Sequence, residues 1–213
     1  MNVLVIVAHP DDPEFVCGGT IASWTSEGHT VRYVIVTDGS KGTDDPSLSA
    51  AQLSALRQSE QRAAGAAIGV TDIHFLPHVD GELSNSLATQ RDVAREIRRF
   101  KPDIVVVNGE NAAHGFGISQ DIHQKLLGCG ADVVTLGNHA FDQRETLVFI
   151  EREPNLIRPL NWPAGCPGRG TCMVETAKGQ RVLVMNAMGR VMIEPMLDDP
   201  FPAVGKELDQ CRL

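Results

Sequence analysis

Met1-Asn2-Val3-Leu4-Val5-Ile6-Val7-Ala8-His9-Pro10-Asp11-Asp12 opens the chain with apolar side chains at consecutive positions and then turns abruptly polar. A strand with one wet face alternates apolar and polar residues. A run that does not alternate fits a strand covered on both faces, as in a parallel sheet flanked by helices. Working outward, residues 18–27 read as a helix ended by Gly28, 30–37 as a second strand, and 49–68 as an Ala-rich helix. Residues 72–76 make a short strand, 79–82 a turn, 87–100 a helix and 103–107 another apolar strand. This βαβα alternation predicts the α/β class, with an open, mostly parallel sheet flanked by helices.

Past residue 107 the alternation continues. Residues 119–127 read as a helix stopped by Gly128 and Gly130, 132–136 as a fifth strand, and 141–152 as a helix. Pro154, Pro159, Pro163 and Pro167 mark a loop-rich stretch, after which 172–176 and 180–186, separated by Ala177-Lys178-Gly179, predict a C-terminal β-hairpin. A short helix from Ala203 closes the chain. No repeat, low-complexity segment or linker interrupts the sequence, so residues 1–213 are expected to form a single α/β domain.

The 213 residues are 42% hydrophobic, enough for a substantial core. A net charge of -8 opposes a general nucleic-acid or membrane surface, because a polyanion meets net repulsion. The basic cluster Arg95, Arg98, Arg99 and Lys101 sits at a predicted helix end, where positive charge complements the dipole. No apolar run reaches the roughly 20 residues of a membrane span. Cys17, Cys129, Cys166, Cys172 and Cys211 contain no C-x-x-C pair and follow no secretory leader, so free thiols and a cytoplasmic location are expected. Cys166 and Cys172 are near enough in sequence for a bridge or a metal pair, but the intervening Pro-Gly-Arg-Gly reads as loop.

His9-Pro10-Asp11-Asp12 lies at the carboxyl end of the first strand, where open α/β sheets place ligands. From one tight turn His9 and Asp12 can reach a metal ion, leaving Asp11 free to accept a proton from water. The competing structural reading is a turn and helix cap, with Asp11 or Asp12 accepting backbone N–H groups. Ala8-His9-Pro10-Asp11-Asp12-Pro13-Glu14 and Cys17-Gly18-Gly19-Thr20-Ile21-Ala22, with Thr37-Asp38-Gly39, Arg57-Gln58-Ser59-Glu60 and Asp80-Gly81-Glu82, resemble the PIG-L/LmbE-like zinc-dependent N-deacetylases over roughly half the chain. The resemblance implies a Rossmann-like sheet, zinc ligation by His9 and Asp12, and Asp11 as the general base that activates water for attack on an N-acetyl group. That family also uses a third ligand, a histidine in an H-x-D-H-like segment after the fourth strand, and this sequence has no such segment. By position His123 stands nearest to that role; the alternative is a polar surface residue on the first turn of a helix.

Asn108-Gly109-Glu110-Asn111 and Gly137-Asn138-His139 also follow predicted strands, which gathers carboxylate, amide and imidazole groups at one sheet edge. Such donors suit iron, manganese or zinc in phosphoester hydrolysis. As structural residues, Glu110 is a loop acid, Asn111 and Asn138 are turn formers and His139 starts a helix. Asp103-Ile104-Val105-Val106-Val107-Asn108-Gly109-Glu110-Asn111-Ala112-Ala113-His114-Gly115, Asp132-Val133-Val134-Thr135-Leu136-Gly137-Asn138-His139 and Leu197-Asp198-Asp199-Pro200-Phe201 resemble the YmdB-like metallophosphoesterases, a family associated with 2',3'-cyclic nucleotide phosphodiesterase activity. The resemblance implies metal ligation by Glu110, Asn111 and Asn138 and assistance at phosphate by His139. The family's first ligand, an aspartate in a G-D-x-x-G turn after strand one, is absent, and so are its downstream histidines.

Two families in one chain predict a chimera, engineered or recombined, with its crossover near the strand at 103–107. Both families place a P-D-(I/V/L)-V-x-V strand beside strand one, so an exchange there preserves register in a shared sheet. The expected function is a hybrid with an incomplete metal-hydrolase site and no physiological activity. The alternatives are a zinc-dependent N-deacetylase acting on N-acetylglucosaminyl substrates and a residual metal-dependent phosphodiesterase. A divalent ion, zinc or another, would be held loosely by His9 and Asp12 with Glu110 or His123. Expected partners are a small-molecule substrate and further copies of the chain, with no nucleic acid and no membrane.

Overall fold

The computed structural model describes residues 1–84, 86–191 and 193–211. Met1–Asp103 and Ile104–Leu213 are two compact units. The first unit alternates β1 (Asn2–Val7), α1 (Asp12–Ser26), β2 (Thr30–Thr37), α2 (Ala50–Ala67), β3 (Asp72–His78) and α3 (Leu87–Phe100). Its strands run parallel in the order β1-β2-β3, with Val5 opposite Tyr33 and Tyr33 opposite Ile73.

The strand buried on both faces is β2, where Tyr33, Val34 and Ile35 are all fully buried. β1, read from sequence in that role, is half-buried along its whole length. It forms the edge of its sheet, and an edge is less completely covered than a centre. Ile21 from α1 joins Val31, Tyr33, Ile35, Val70 and Ile73 in the core. α2 comes close to β3 because Gly65 carries no Cβ; one added there would approach Ile73 Cδ1 to 2.7 Å and Val70 O to 3.0 Å. The start of α2 is fixed by a capping box, in which Ser49 and Gln52 each satisfy the other's backbone N–H. α1 begins six residues before the expected helix, with Pro13 in its first turn and a break at Cys17 (φ -148°) that makes the sequence read as starting at Gly18.

The second unit contains β4 (Val106–Asn108), α4 (Gln120–Gly128), β5 (Val133–Thr135), α5 (Thr146–Phe149), β6 (Leu156–Ile157), the antiparallel hairpin β7 (Thr171–Glu175) and β8 (Arg181–Met185), and α6 (Pro200–Gln210). β4, β5 and β6 form a second parallel sheet in that order. Where a single sheet was expected, the described residues form two three-stranded sheets and a hairpin. The chain does pass β1 at Asp103, whose N–H donates to Asn2 O (3.1 Å) and whose carboxylate accepts from Asn2 N (2.8 Å). Strand pairing starts only at Val106. The Val105 N–H is taken by the Asp132 carboxylate and its carbonyl accepts from Asp132 and Val133, which commits this backbone to β5.

The helix expected over 141–152 reduces to turns, the one-turn α5 and a 3-10 turn at Ile150–Arg152. The stretch read as loop hides β6, both residues of which are buried. Ile118, Val134, Leu136, Ala140, Phe149, Ile150 and Leu156 build this unit's core.

Arg158, 8% exposed, organises the Pro-rich loop by donating to the carbonyls of Pro159 (2.9 Å), Pro167 (2.9 Å), Cys166 (3.1 Å) and Gly168 (3.1 Å). All five cysteines are unbridged. Among the described residues no helix is long and apolar enough to cross a membrane.

Candidate functional site

In the first unit the loops after β1, β2 and β3 gather the polar residues. His9 Nε2 lies 3.1 Å from Asp80 Oδ1, and His9 Nδ1 lies 3.5 Å from Asp12 Oδ2. The same Asp12 oxygen accepts the His9 backbone N–H at 2.8 Å, which closes the turn. Asp80 is itself positioned by Asp38, whose Oδ1 accepts the N–H groups of Asp80 (3.0 Å) and Ser40 (3.1 Å). Burial works against ionisation of Asp38, but these N–H donors outweigh it and hold its carboxyl below the usual range.

Asp11 occupies a strained backbone position with φ 106°. Two residues of α2, four apart on one face, hold it there. Gln61 accepts the Asp11 N–H at 2.7 Å, while its amide nitrogen donates to both oxygens of Glu14 at 3.0 and 3.1 Å. Arg57 donates to Pro10 O (2.7 Å) and Gly39 O (3.3 Å) and pairs with Asp11 Oδ2 at 3.0 Å. Gly39 and Gly42 leave the room that this guanidinium fills. Asp11 thus keeps an exposed carboxylate on a fixed backbone, an arrangement suited to accepting a proton from water. The sequence singled out Arg57 but not Gln61; its only sequence signal is the i, i+4 spacing from Arg57. Glu60, the acid of the R-x-x-E element, is exposed.

A hydrolytic zinc site takes three protein donors and one water. His9 and Asp12 are two side chains of the right type, and Asp80 faces the His9 imidazole as a supporting carboxylate would. Among the described residues no three histidine, cysteine, aspartate or glutamate side chains are grouped so as to hold a metal ion. The donor types fit and the donor number does not.

In the second unit the loops after β4 and β5 meet. The Glu110 carboxylate lies against Gly137, where any Cβ would overlap it, and accepts the His139 N–H at 3.5 Å. Asn138 Nδ2 lies 3.4 Å from His139 Nε2, and His139 Nδ1 lies 2.7 Å from Asp142 Oδ2. Phe116 packs edge-on against the His139 ring at 5.2 Å. Glu110, Asn138 and His139 therefore come together, whereas Asn111 is exposed beside them.

His123 is not the surface residue that its place on the first turn of a helix suggested. It is fully buried, stacked on Phe149 at 6.1 Å, with neither ring nitrogen hydrogen-bonded and Glu153 Oε2 at 3.8 Å. Burial pushes its pKa down, partly offset by the Glu153 carboxylate. A depressed histidine binds fewer protons folded than unfolded, so stability is full above the unfolded pKa of about 6.5 and falls as pH drops below it. Urea midpoints followed by fluorescence from pH 7.5 to 5 should fall more steeply for the native chain than for His123→Leu. Parallel curves would contradict this.

The sequence model of the GlcNAc-PI de-N-acetylase family matches residues 4–116, and that of the YmdB-like proteins matches residues 82–213. The Bacillus subtilis 2',3'-cyclic-nucleotide 2'-phosphodiesterase is 44% identical over 116 residues, covering 52% of this chain and 43% of that protein. The Thermococcus kodakarensis diacetylchitobiose deacetylase is 37% identical over 106 residues, covering 50% and 40%. The inhibitor-complexed N,N'-diacetylchitobiose deacetylase from Pyrococcus horikoshii superposes with a TM-score of 0.50 at 30% identity over 70% of this chain and 50% of that one. The chain spans less than half the length of the two curated relatives. Residues 82–116, which include α3 and β4, fall within both family matches. The chain belongs to the GlcNAc-PI de-N-acetylase family through residues 4–116 and to the YmdB-like family through residues 82–213.

Proposed function

We propose that this chain is a recombined hybrid in which the first unit retains the binding and proton-handling half of an N-deacetylase site, without its full metal set. It recognises N-acetylated amino sugars and hydrolyses them too slowly for a physiological role. The observation that carries this reading is the clamp on Asp11. Arg57 and Gln61 hold a strained carboxylate in place, and strain of this kind persists only where surrounding contacts enforce it. Asp11 is the proton acceptor, and His9 and Asp12 are the metal-facing donors. Both families are generally metal-dependent. Two donors fall short of the three that a hydrolytic zinc site takes, which fits slow turnover.

Acetate release from N-acetylglucosaminyl substrates, measured with and without added zinc or manganese beside the Thermococcus kodakarensis enzyme, tests this. The expected rate is at least about 100-fold below that enzyme, by analogy with the losses that follow even from outer-shell defects at a metal site. Asp11→Asn is expected to abolish what remains. A rate equal to the reference enzyme would remove the claim of depletion, and an unchanged rate in Asp11→Asn would remove the site.

A second reading, residual phosphodiester hydrolysis, rests on the grouping of Glu110, Asn138 and His139. It predicts manganese-dependent turnover of an aryl phosphodiester that is lost in Asn138→Ala.

A further inference from the structure

α3 turns its two acids toward the sheet and its arginines away from it. Glu96, 5% exposed, lies 2.8 Å from His74 Nδ1 on β3 and 3.7 Å from Arg32 on β2, and Asp92 lies 3.3 Å from His78 Nε2. Arg91, Arg95, Arg98 and Arg99 are all exposed, and with Leu87 and Ala94 they line an open cleft of about 540 Å³.

The positive charge of this face is only partly answered. Arg95 pairs with Asp92 at 2.8 Å and Arg99 with Glu96 at 3.6 Å, so each carboxylate is shared between one guanidinium and a histidine of the sheet. Arg91 and Arg98 make no ion pair among the described residues. The helix dipole favours Arg98 and Arg99 in the last turn and gives no such support to Arg91 in the second. Arg91, Arg95 and Arg99 also stand at i, i+4 spacing, where like charges destabilise a helix. An anion held among them would remove that cost.

The spacing and surroundings select the kind of anion. Guanidinium forks grip phosphate oxygens two at a time. Arg95 and Arg98 lie about 6 Å and about 10.5 Å along the helix axis from Arg91, near enough for side chains of this length to close on one ligand. Residues 1–103 hold 14 acidic and nine basic side chains, and four of the nine are gathered here, which makes the face a cationic island in an acidic unit. A long polyanion would overrun the island and meet repulsion, whereas a compact one stays within it.

We propose that the outer face of α3 binds a compact polyphosphate, a small ligand carrying at least two linked phosphate groups. The site is separate from the deacetylase reading, because none of these arginines belongs to the clamp on Asp11. Inorganic polyphosphate and the phosphate chain of a nucleotide share this chemistry.

Isothermal titration of the full chain at low ionic strength tests the proposal. The native chain should bind tripolyphosphate at least about tenfold more tightly than orthophosphate, because several forks engage one molecule. Arg91→Gln should weaken tripolyphosphate by about tenfold, the scale of one hydrogen-bonded charge, and Arg91→Gln with Arg98→Gln by about 100-fold. Lys206→Gln on α6 removes one positive charge elsewhere and should change nothing. Adenosine triphosphate separates the two sources: affinity equal to that of tripolyphosphate means that the phosphates alone are read, and tighter binding means that the nucleoside adds contacts, both of which uphold the site.

Equal affinity for orthophosphate and tripolyphosphate, or the same loss in Lys206→Gln as in Arg91→Gln, would reduce the effect to net charge and overturn the proposal. A single-stranded oligonucleotide that binds more tightly than tripolyphosphate would also overturn it, by assigning the face to nucleic acid. Far-ultraviolet circular dichroism confirms that the exposed substitutions leave the chain folded, and a native chain that binds no tripolyphosphate ends the proposal whatever the variants do.

Discussion

Arg158→Met should cost the second unit about 4 kcal/mol of unfolding free energy, the upper range for a single substitution. The guanidinium is nearly buried and donates to four carbonyls of one loop, those of Pro159, Cys166, Pro167 and Gly168. Methionine fills much of the volume but donates nothing, so several acceptors lose their partner together. Burial lowers the Arg158 pKa, but an arginine stays charged throughout the usable pH range. Arg158→Lys should recover less than half of the loss, because one ammonium cannot span the fork that reaches all four oxygens. Trp162 packs edge-on against Phe141 at 4.9 Å in the same unit, so its fluorescence reports the transition once Trp24 is replaced by Phe. A loss under about 1 kcal/mol would mean that water serves these carbonyls as well as the arginine does.

Arg57→Met is expected to be nearly as damaging in the first unit, by about 3 kcal/mol, and to abolish acetate release. Here the guanidinium joins two loops, through Pro10 O after β1 and Gly39 O after β2, and pairs with Asp11. Without it the Asp11 backbone can relax from its positive φ, and the carboxylate loses its fixed position. Arg98→Met removes the same charge from α3 and should change stability by no more than about 0.5 kcal/mol. Urea unfolding followed at Trp24, together with the acetate assay, separates the two effects. A stable Arg57→Met protein with unchanged acetate release would show that the clamp has no part in the chemistry.

The α/β class was legible in the sequence because apolar runs such as 30–37 and 103–107 do not alternate. Partition into two sheets was not. It depends on Val105 giving its backbone to Asp132 and β5, a tertiary choice that leaves no trace in the local pattern. β6 was hidden for a related reason, since two buried residues between prolines are too short for any periodicity. At the site, His9, Asp11 and Asp12 stood out because they crowd one turn at a strand's carboxyl end, and Arg57 because it lies in a segment that resembles the deacetylase family. Gln61 and Asp38 act by holding a backbone N–H of another loop, and such partnerships appear only when the chain is folded. His123 misled because position on a helix says nothing about what packs over it; Phe149, 26 residues onward, decides that it is buried.

The positive φ at Asp11 also limits how this position can be altered. Asparagine and glycine tolerate such a backbone, whereas β-branched and bulky side chains resist it. A saturation library at codon 11 should therefore sort into three classes: aspartate folded and competent, asparagine and glycine folded and silent, and most others depleted before chemistry is ever sampled. Glutamate, the conservative exchange by charge, belongs with the last class.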